Sequence, residues 1–96
     1  MGKYFVYILK SKIKEITYVG HTDNILRRLV EHNSGKSVFT RKYKPWNLIY
    51  KEEFPTEEEA IKREKYFKTA AGRRLIKKIL SEIPAPVAQQ DRATVS

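Results

Sequence analysis

The chain alternates short apolar segments with polar turns, and the period of its apolar positions changes from one segment to the next. Residues 3–10 (KYFVYILK) carry aromatic and β-branched side chains on both alternating faces, as is typical of a strand covered on two sides. After a polar turn, residues 15–20 (EITYVG) form a second β-rich segment. The short separation predicts an antiparallel hairpin whose first strand is central in the sheet.

A helix and a third strand follow the hairpin. The helix is predicted to begin at a cap formed by Thr22 or Asp23 and to run to about residue 33, with Gly35 at its stop position. Its apolar side consists of Ile25, Leu26, Leu29 and Val30. Residues 34–45 are polar, basic and aromatic without a clear period, which indicates a loop, and residues 46–54 (WNLIYKEEF) predict a strand.

Two further helices are predicted before the composition changes. Thr56 and Glu59 form a capping-box signature for a helix from residue 57 to about residue 69. Gly72 is expected to separate it from a helix over residues 73–82. The predicted fold is an α+β domain over residues 1–82, in which a three-stranded antiparallel sheet is flanked by three helices and covered on both faces. Residues 83–96 show no apolar period, so we expect a disordered tail.

Composition and charge narrow the class of protein. The 96 residues include no cysteine, which excludes disulfides, thiolate zinc sites and iron–sulfur clusters. No apolar run approaches the roughly 20 residues of a membrane span, so we expect a soluble, cytoplasmic protein. Twenty Lys and Arg against eleven Asp and Glu give a net charge of +9. This excess favours a polyanionic partner such as nucleic acid. A basic face that is simply solvated is the structural alternative.

One acidic residue lies on the apolar face of the predicted helix over residues 57–69. On a helical wheel, Glu64 falls among Ala60, Ile61 and Phe67. Burial of an unpaired carboxylate is costly, so Glu64 needs a cationic partner, a bound metal or a position at the rim of a cleft. A salt bridge to a nearby arginine and ligation of a metal both meet this requirement.

Four other side chains are candidates for chemistry. Arg28 and His32 are four positions apart at the edge of the apolar face of the first helix, from which both can point into the groove between helix and sheet. Tyr7 and Tyr18 lie on the two strands of the hairpin, which can bring their phenols together. The structural alternatives are surface positions for Arg28 and His32 and ordinary core tyrosines.

These residues form an ordered set along the chain. Residues 5–7 (FVY) and 18–20 (YVG) are separated by ten residues, and Arg28 and Glu64 follow in that order. The set resembles the GIY-YIG nuclease superfamily, in particular its small stand-alone bacterial members related to the nuclease domain of the repair protein UvrC and to structure-selective nucleases. The resemblance covers residues 4–80. A phenylalanine replaces the first glycine of the family motif, and a valine replaces its second isoleucine.

The resemblance implies a site for metal-dependent hydrolysis of DNA. Glu64 would be the main ligand of one Mg²⁺ or Mn²⁺ ion, with water completing the shell. Tyr18 would be the general base that activates water, with Tyr7 hydrogen-bonding nearby. Arg28 would bind the scissile phosphate and offset charge on its oxygens. His32 lies at a catalytic position that the family fills with Tyr or His.

Further residues are candidates for binding nucleic acid through its backbone or shape. The loop over residues 34–45 interleaves cations and rings, which favours phosphate contact and base stacking, but Phe39 and Trp46 are equally able to pack beneath the loop. His21 lies where UvrC-like domains have a lysine. The predicted nucleic-acid-binding residues are His21, Lys36, Arg41, Lys44, Arg73 and Arg74.

The predicted function is a metal-dependent DNA endonuclease that acts in repair or recombination, where a protein partner is one source of substrate specificity. The alternatives are a non-catalytic nucleic-acid-binding module on the same fold and a ribosome-associated or RNA-associated protein. The enzyme and the binding module need the same basic surface, so composition does not separate these two. An RNA-associated protein would bind RNA more tightly than DNA and would not depend on metal. The acid on an apolar helix face favours the enzyme, because a retired site has no physical reason to retain it.

Overall fold

The three strands form the predicted sheet. In the structure, a computed structural model that describes residues 3–82, β1 (Tyr4–Ser11), β2 (Thr17–Thr22) and β3 (Trp46–Phe54) are antiparallel in the order β2-β1-β3. The central position of β1 confirms the prediction made from its two apolar faces. The predicted disordered tail, residues 83–96, lies outside the described residues.

Three helices complete the α+β fold, as predicted. They are α1 (Ile25–Ser34), α2 (Glu57–Phe67) and α3 (Ala70–Glu82). The predicted loop over residues 34–45 contains one short 3₁₀ turn, Thr40–Tyr43. Among residues 3–82, no helix has the length and apolar content needed to cross a bilayer.

Alternate residues of β1 build two apolar clusters, one on each face of the sheet. Val6 and Ile8 pack against the apolar sides of α2 and α3. Tyr7 and Leu9 point the other way and pack with Trp46 under α1. These five side chains are almost completely buried. Because burial of one such side chain contributes roughly 1.5–3 kcal/mol, β1 is a rigid platform for the residues at its ends and edges.

The cap of α1 differs from the prediction. Asn24 is the N-cap, and its side-chain oxygen accepts the N–H of Arg27 at 3.0 Å. The two predicted caps make other contacts. The Thr22 hydroxyl accepts the Asn24 N–H at 3.1 Å, and Asp23 pairs with the Arg27 guanidinium at 2.8 Å. The prediction of the stop position is confirmed, since Gly35 has a φ of 91° in the left-handed region.

The predicted inward face of α1 was correct for Ile25 and Leu29 and wrong for Leu26 and Val30. Leu26 and Val30 are 76% and 66% exposed. Ile25 and Leu29 pack against the sheet, and the fully buried His32 continues their line one turn later. Leu26 and Val30 each follow an inward residue by one position, about 100° round the helix, and are therefore turned to solvent.

The break between α2 and α3 lies earlier than predicted. Gly72 is buried inside α3, and the helices separate at residues 68–69. The Thr69 hydroxyl accepts the N–H of Gly72 at 3.1 Å, in the manner of a helix cap. A β-carbon on residue 72 would lie 2.0 Å from the Tyr66 carbonyl oxygen. Glycine is needed here for close packing between the helices, and it does not break a helix.

Candidate active site

Tyr7 and Gly20 face each other across the hairpin, and the glycine makes room for the phenol. The two residues are partners in the β1–β2 register. A β-carbon on residue 20 would lie 2.6 Å from the Tyr7 Oη and 3.2 Å from the Tyr18 ring. The absence of a side chain at residue 20 therefore lets the Tyr7 phenol cross β2.

His32 joins α1 to the same phenol. Its ring is fully buried, Nε2 lies 3.0 Å from the Tyr7 Oη, and Nδ1 lies 2.9 Å from the Thr40 Oγ1. Burial, assisted by the nearby Arg28 cation, lowers the pKa of His32. The ring is consequently neutral at neutral pH, and both its nitrogens are engaged inside the protein.

Arg28 approaches Tyr7 from α1. Its guanidinium donates a hydrogen bond to the Glu31 carboxylate at 2.6 Å, and its positive charge lies close to the Tyr7 hydroxyl. Burial raises the pKa of Tyr7, and the nearby Arg28 cation opposes that rise. The Tyr18 ring packs beside His32, with the ring centroids 4.9 Å apart. The structure thus brings the two tyrosines, Arg28 and His32 into one cluster.

Glu64 reaches this region from α2, on the opposite face of the sheet. Its carboxylate lies 2.5 Å from the His21 Nδ1 and 2.8 Å from the Lys68 Nζ, and its side chain is 18% exposed. Burial alone would raise the pKa of Glu64, but the hydrogen bonds from Lys68 and His21 outweigh burial and lower it. The Glu64 charge also contributes to the raised pKa of Tyr7, so the two groups lie within electrostatic reach.

These contacts identify the cationic partner of Glu64 and show how open its position is. The cation that pairs with it is Lys68, not an arginine. The carboxylate lies at a partly open rim and not in a sealed interior. His21 bridges two acids, because its Nε2 also lies 3.4 Å from a Glu57 oxygen. The predicted contact of His21 with nucleic acid stays a prediction.

An open groove of about 500 Å³ runs along the free edge of β2. Tyr18 and Phe39 supply aromatic surface to it, and Phe39 is 46% exposed. Trp46, in contrast, is buried in the core. Packing in the core is therefore found for Trp46, whereas stacking of Phe39 on a base stays a prediction. The cations that line the groove are Lys10, Lys68, Arg73 and Lys77.

The other predicted nucleic-acid-binding cations are exposed but do not line this groove. They are Lys36, Arg41, Lys44 and Arg74. Within residues 3–82 none of these side chains, nor that of Arg73, takes part in a salt bridge. The first three surround the 3₁₀ turn, and Arg74 lies on α3. The first three thus form one basic area after the C-terminal end of α1, and Arg74 belongs to a separate basic area on α3.

The family of the chain follows from comparison with known proteins. A family model described as the GIY-YIG catalytic domain matches residues 3–78. The chain belongs to the GIY-YIG family. Similar proteins include the UPF0213 protein SH2523 of Staphylococcus haemolyticus, which is 38% identical over 80 residues, covering 82% of this chain and 96% of that one. The UPF0213 protein YazA of Bacillus subtilis is 38% identical over 68 residues, covering 70% and 68%.

A solved structure extends the GIY-YIG comparison to the fold. The solution NMR structure of the UPF0213 protein BH0048 from Bacillus halodurans matches with a TM-score of 0.51 and 30% sequence identity. The match covers 98% of this chain and 99% of that one. The resemblance inferred from the ordered residues is therefore confirmed at the level of the family.

The residues of this candidate site are compatible with a divalent cation that has few protein ligands and keeps several waters. Within the described part of the chain, no group of three or more His, Cys, Asp and Glu residues forms a metal-binding cluster. Glu64 offers an ionised carboxylate at the rim. Mg²⁺ is commonly held by one or two carboxylates while it keeps several waters, so a single acid is an adequate protein ligand.

Two residues that contact the candidate site residues were missed by the sequence analysis. Lys68 follows Glu64 by four positions, a helical spacing that is visible in the sequence and was a usable signal. Thr40 reaches His32 from the 3₁₀ turn. It lies in an aperiodic loop, and nothing in the pattern distinguishes its hydroxyl from that of an exposed threonine.

Proposed function

We propose that this protein is a divalent-metal-dependent endonuclease that hydrolyses phosphodiester bonds in DNA. The observation that carries the proposal is the position of the Tyr7 hydroxyl. His32 contacts it, the Arg28 cation lies close to it, and the Glu64 charge acts on it from the opposite face of the sheet. A phenol, a guanidinium and an imidazole that lie far apart in the sequence are thus brought together, with a carboxylate within electrostatic reach.

Arg28 is the proposed ligand of the scissile phosphate. A guanidinium stays protonated and presents a fork of donors that matches two phosphate oxygens. Its carboxylate partner, Glu31, is partly exposed, so a phosphate can replace it without leaving a buried unpaired charge. As water attacks phosphorus, Arg28 would offset the charge that builds on the non-bridging oxygens.

Tyr18 is the proposed general base. It lines the groove, where water and substrate reach it, whereas Tyr7 is buried and its raised pKa keeps it protonated. A phenol with an ordinary pKa of about 10 is a weak base at neutral pH, so nearby positive charge has to favour loss of its proton. The cations that line the groove with Tyr18 are the proposed source of that charge, and the rings of Tyr7 and His32 pack beside the Tyr18 ring.

Glu64 is the proposed metal ligand. When bound there, Mg²⁺ or Mn²⁺ would supply Lewis-acid stabilisation of the phosphate oxygens and of the leaving 3′-oxygen. Glu64 and Lys68 form an i,i+4 pair in which the lysine side chain is 58% exposed. A cation that competes for the carboxylate can therefore release Lys68 to solvent, while the His21 Nδ1 holds the other carboxylate oxygen.

The DNA is proposed to bind through its backbone. The groove beside Tyr18 carries four cations and two accessible rings, and the chain has a net charge of +9. Phosphate contacts of this type carry little sequence information. Because such contacts select the substrate poorly, the proposal includes a protein partner that selects it. A role in DNA repair or recombination in the cytoplasm is a further part of the proposal.

The experiment that tests the proposal uses the full-length protein and end-labelled single-stranded, duplex, flapped and branched DNAs. Each is incubated with Mg²⁺, with Mn²⁺ or with EDTA. We expect cleavage in one or both metals and none in EDTA. Binding of DNA without cleavage under any of these conditions would indicate the non-catalytic module. Preferential binding of RNA without metal dependence would indicate an RNA-associated protein.

A further inference from the structure

His21 lies on β2 where the sheet meets α2. It points to the same face of the sheet as Val19, which packs in the apolar cluster under α2 and α3. The side chain is 29% exposed, and it lines an open hollow of about 350 Å³ together with Arg28 and Glu57. His21 thus contacts the proposed metal ligand, Glu64, and shares a hollow with the proposed phosphate ligand.

The two oxygens of the Glu64 carboxylate have partners that differ in exposure and flexibility. Oε1 lies 2.5 Å from the His21 Nδ1, and Oε2 lies 2.8 Å from the Lys68 Nζ. The lysine side chain is long and 58% exposed, so holding it in one position costs conformational entropy. The imidazole is short and stands on a strand of the sheet. The oxygen that faces Lys68 is therefore the more readily released of the two.

The His21 Nδ1 is the donor in its contact with Glu64. Burial would raise the pKa of Glu64, but the hydrogen bonds from Lys68 and His21 outweigh burial and lower it, so the carboxylate is ionised at neutral pH. An ionised carboxylate accepts hydrogen bonds and donates none. The other ring nitrogen, Nε2, lies 3.4 Å from an oxygen of Glu57, two turns before Glu64 on the same helix. The ring is thus oriented by two contacts with α2.

We propose that His21 is a positioning residue for the metal site. By donating to Oε1, it holds the Glu64 carboxylate in one orientation and leaves Oε2 to a divalent cation once Lys68 turns to solvent. Hydrogen bonds to a ligating carboxylate typically change metal affinity or activity by about 10- to 100-fold. His21 acts through Glu64, so the inference rests on the proposed function, in which Glu64 is the metal ligand.

A role in neutralising Glu64 predicts the opposite effect on metal binding. If His21 only competed for the carboxylate, as Lys68 does, its removal would free an oxygen and strengthen binding of a metal. If His21 positions the carboxylate, its removal lets the carboxylate rotate and weakens binding. Lys68→Ala is therefore the matched comparison, because it removes the other donor from the same carboxylate.

The test titrates the nitrogen-15-labelled full-length protein with MnCl₂ in the absence of DNA. Paramagnetic broadening of backbone amide signals around Glu64 gives the apparent Kd, and Glu64→Gln should abolish this broadening. We expect His21→Ala to weaken Mn²⁺ binding at least about 10-fold and Lys68→Ala to bind at least as tightly as the wild type. His21→Asn places its amide nitrogen where Nδ1 lies and should retain most of the affinity. His21→Gln places it where Nε2 lies and should retain much less.

Binding of Mn²⁺ by His21→Ala as tight as in the wild type or tighter would overturn the proposal, as would equal affinities of His21→Asn and His21→Gln. Broadening that is absent in the wild type, or that persists in Glu64→Gln, would also overturn it, because Glu64 would then hold no metal. If circular dichroism shows that His21→Ala does not fold, the comparison of His21→Asn with His21→Gln decides.

The same variants are then compared in DNA cleavage. His21→Ala should need at least about 10-fold more Mg²⁺ for its half-maximal rate, and His21→Asn should restore most of the difference. An unchanged Mg²⁺ requirement in His21→Ala would count against the positioning role. Absence of cleavage by the wild type would reject the proposed nuclease function, while the Mn²⁺ titrations would still test His21.

Discussion

The Tyr7 hydroxyl occupies space that a side chain on Gly20 would need: a β-carbon on residue 20 would lie 2.6 Å from the Tyr7 Oη. This relationship gives the glycine of the YVG segment a physical role. It allows the phenol to lie across β2, where it contacts His32 and lies close to the Arg28 cation. The two motif segments are therefore one packing unit, in which the second provides room for the first.

Gly20→Ala is expected to disturb this unit. The added methyl group forces Tyr7 to move, which should lower the free energy of unfolding by about 1–3 kcal/mol, as for other overpacked sites. Chemical denaturation of the single variants and of Gly20→Ala/Tyr7→Phe measures the coupling. Removal of the phenol oxygen relieves the closest contact, so Tyr7→Phe should cost less in the Gly20→Ala background than in the wild type. Strictly additive effects would show that the two residues do not compete for space.

Arg28→Ala should reduce DNA cleavage by about 10²–10³-fold, because the variant lacks the cation proposed to stabilise the transition state. The matched control is Arg27→Ala. Arg27 is the adjacent arginine, exposed and paired with Asp23 and Glu31. Steady-state cleavage of the preferred DNA by both variants makes the comparison. Equal activities of the two variants would exclude a specific role for Arg28.

The sequence was most informative where structure is set by local interactions. The two-faced alternation of β1 identified the central strand, because each face meets a different layer of helices. Thr56 was identified as the cap of α2, and its hydroxyl accepts the Glu59 N–H at 3.2 Å. Tyr7, Tyr18, Arg28, His32 and Glu64 could be selected as candidates because their order resembles that of a known family.

The predictions that failed depend on contacts between segments distant in the chain. Gly72 was expected to end a helix, but its function is to let α3 approach the end of α2. Leu26 was predicted to be in the core because it is apolar. Burial of His32 instead turns the side of α1 that carries Leu26 toward solvent. Thr40 was missed because a hydrogen bond between an aperiodic loop and a helix leaves no periodic signal. Such relationships require the folded arrangement.

The buried neutral His32 should make stability depend on pH. Burial lowers the pKa of His32, so at mildly acidic pH the unfolded chain binds a proton that the folded chain does not. The free energy of unfolding should therefore decrease as pH falls below about 6.5, the ordinary pKa of histidine. Carboxylates with lowered pKa values, such as Glu64 and Glu52, lose their stabilising effect only below their ordinary value of 4.5.

Urea denaturation of the wild type and of His32→Gln between pH about 7.5 and 5.5 measures this effect. The wild type should lose stability across the interval, and His32→Gln should lose less. The difference between the two slopes isolates His32, because the other titrating groups are common to both proteins. Parallel slopes would mean that His32 binds its proton equally well in the folded and unfolded chains.

The groove cations should determine the salt dependence of DNA binding. If Arg73 and Lys77 each contact a phosphate, Arg73→Ala/Lys77→Ala should reduce the slope of log K against log salt by roughly 1.4–1.8. Lys62→Ala/Lys65→Ala removes the same charge from exposed positions on α2 and serves as the control. Fluorescence anisotropy between about 50 and 200 mM salt supplies the affinities. Equal slopes for the two double variants would show that net charge alone, and not the groove, governs binding.

Cleavage of DNA by Glu64→Gln tests the central claim most directly. The substitution keeps the size of the side chain and removes the charge proposed to hold Mg²⁺ or Mn²⁺. Glu58→Gln, an exposed position on the same helix, is the matched control. With circular dichroism confirming that both variants fold, we expect Glu58→Gln to cleave DNA like the wild type and Glu64→Gln to lose metal-dependent cleavage by at least about 10²-fold. Wild-type cleavage by Glu64→Gln in either metal would contradict the account.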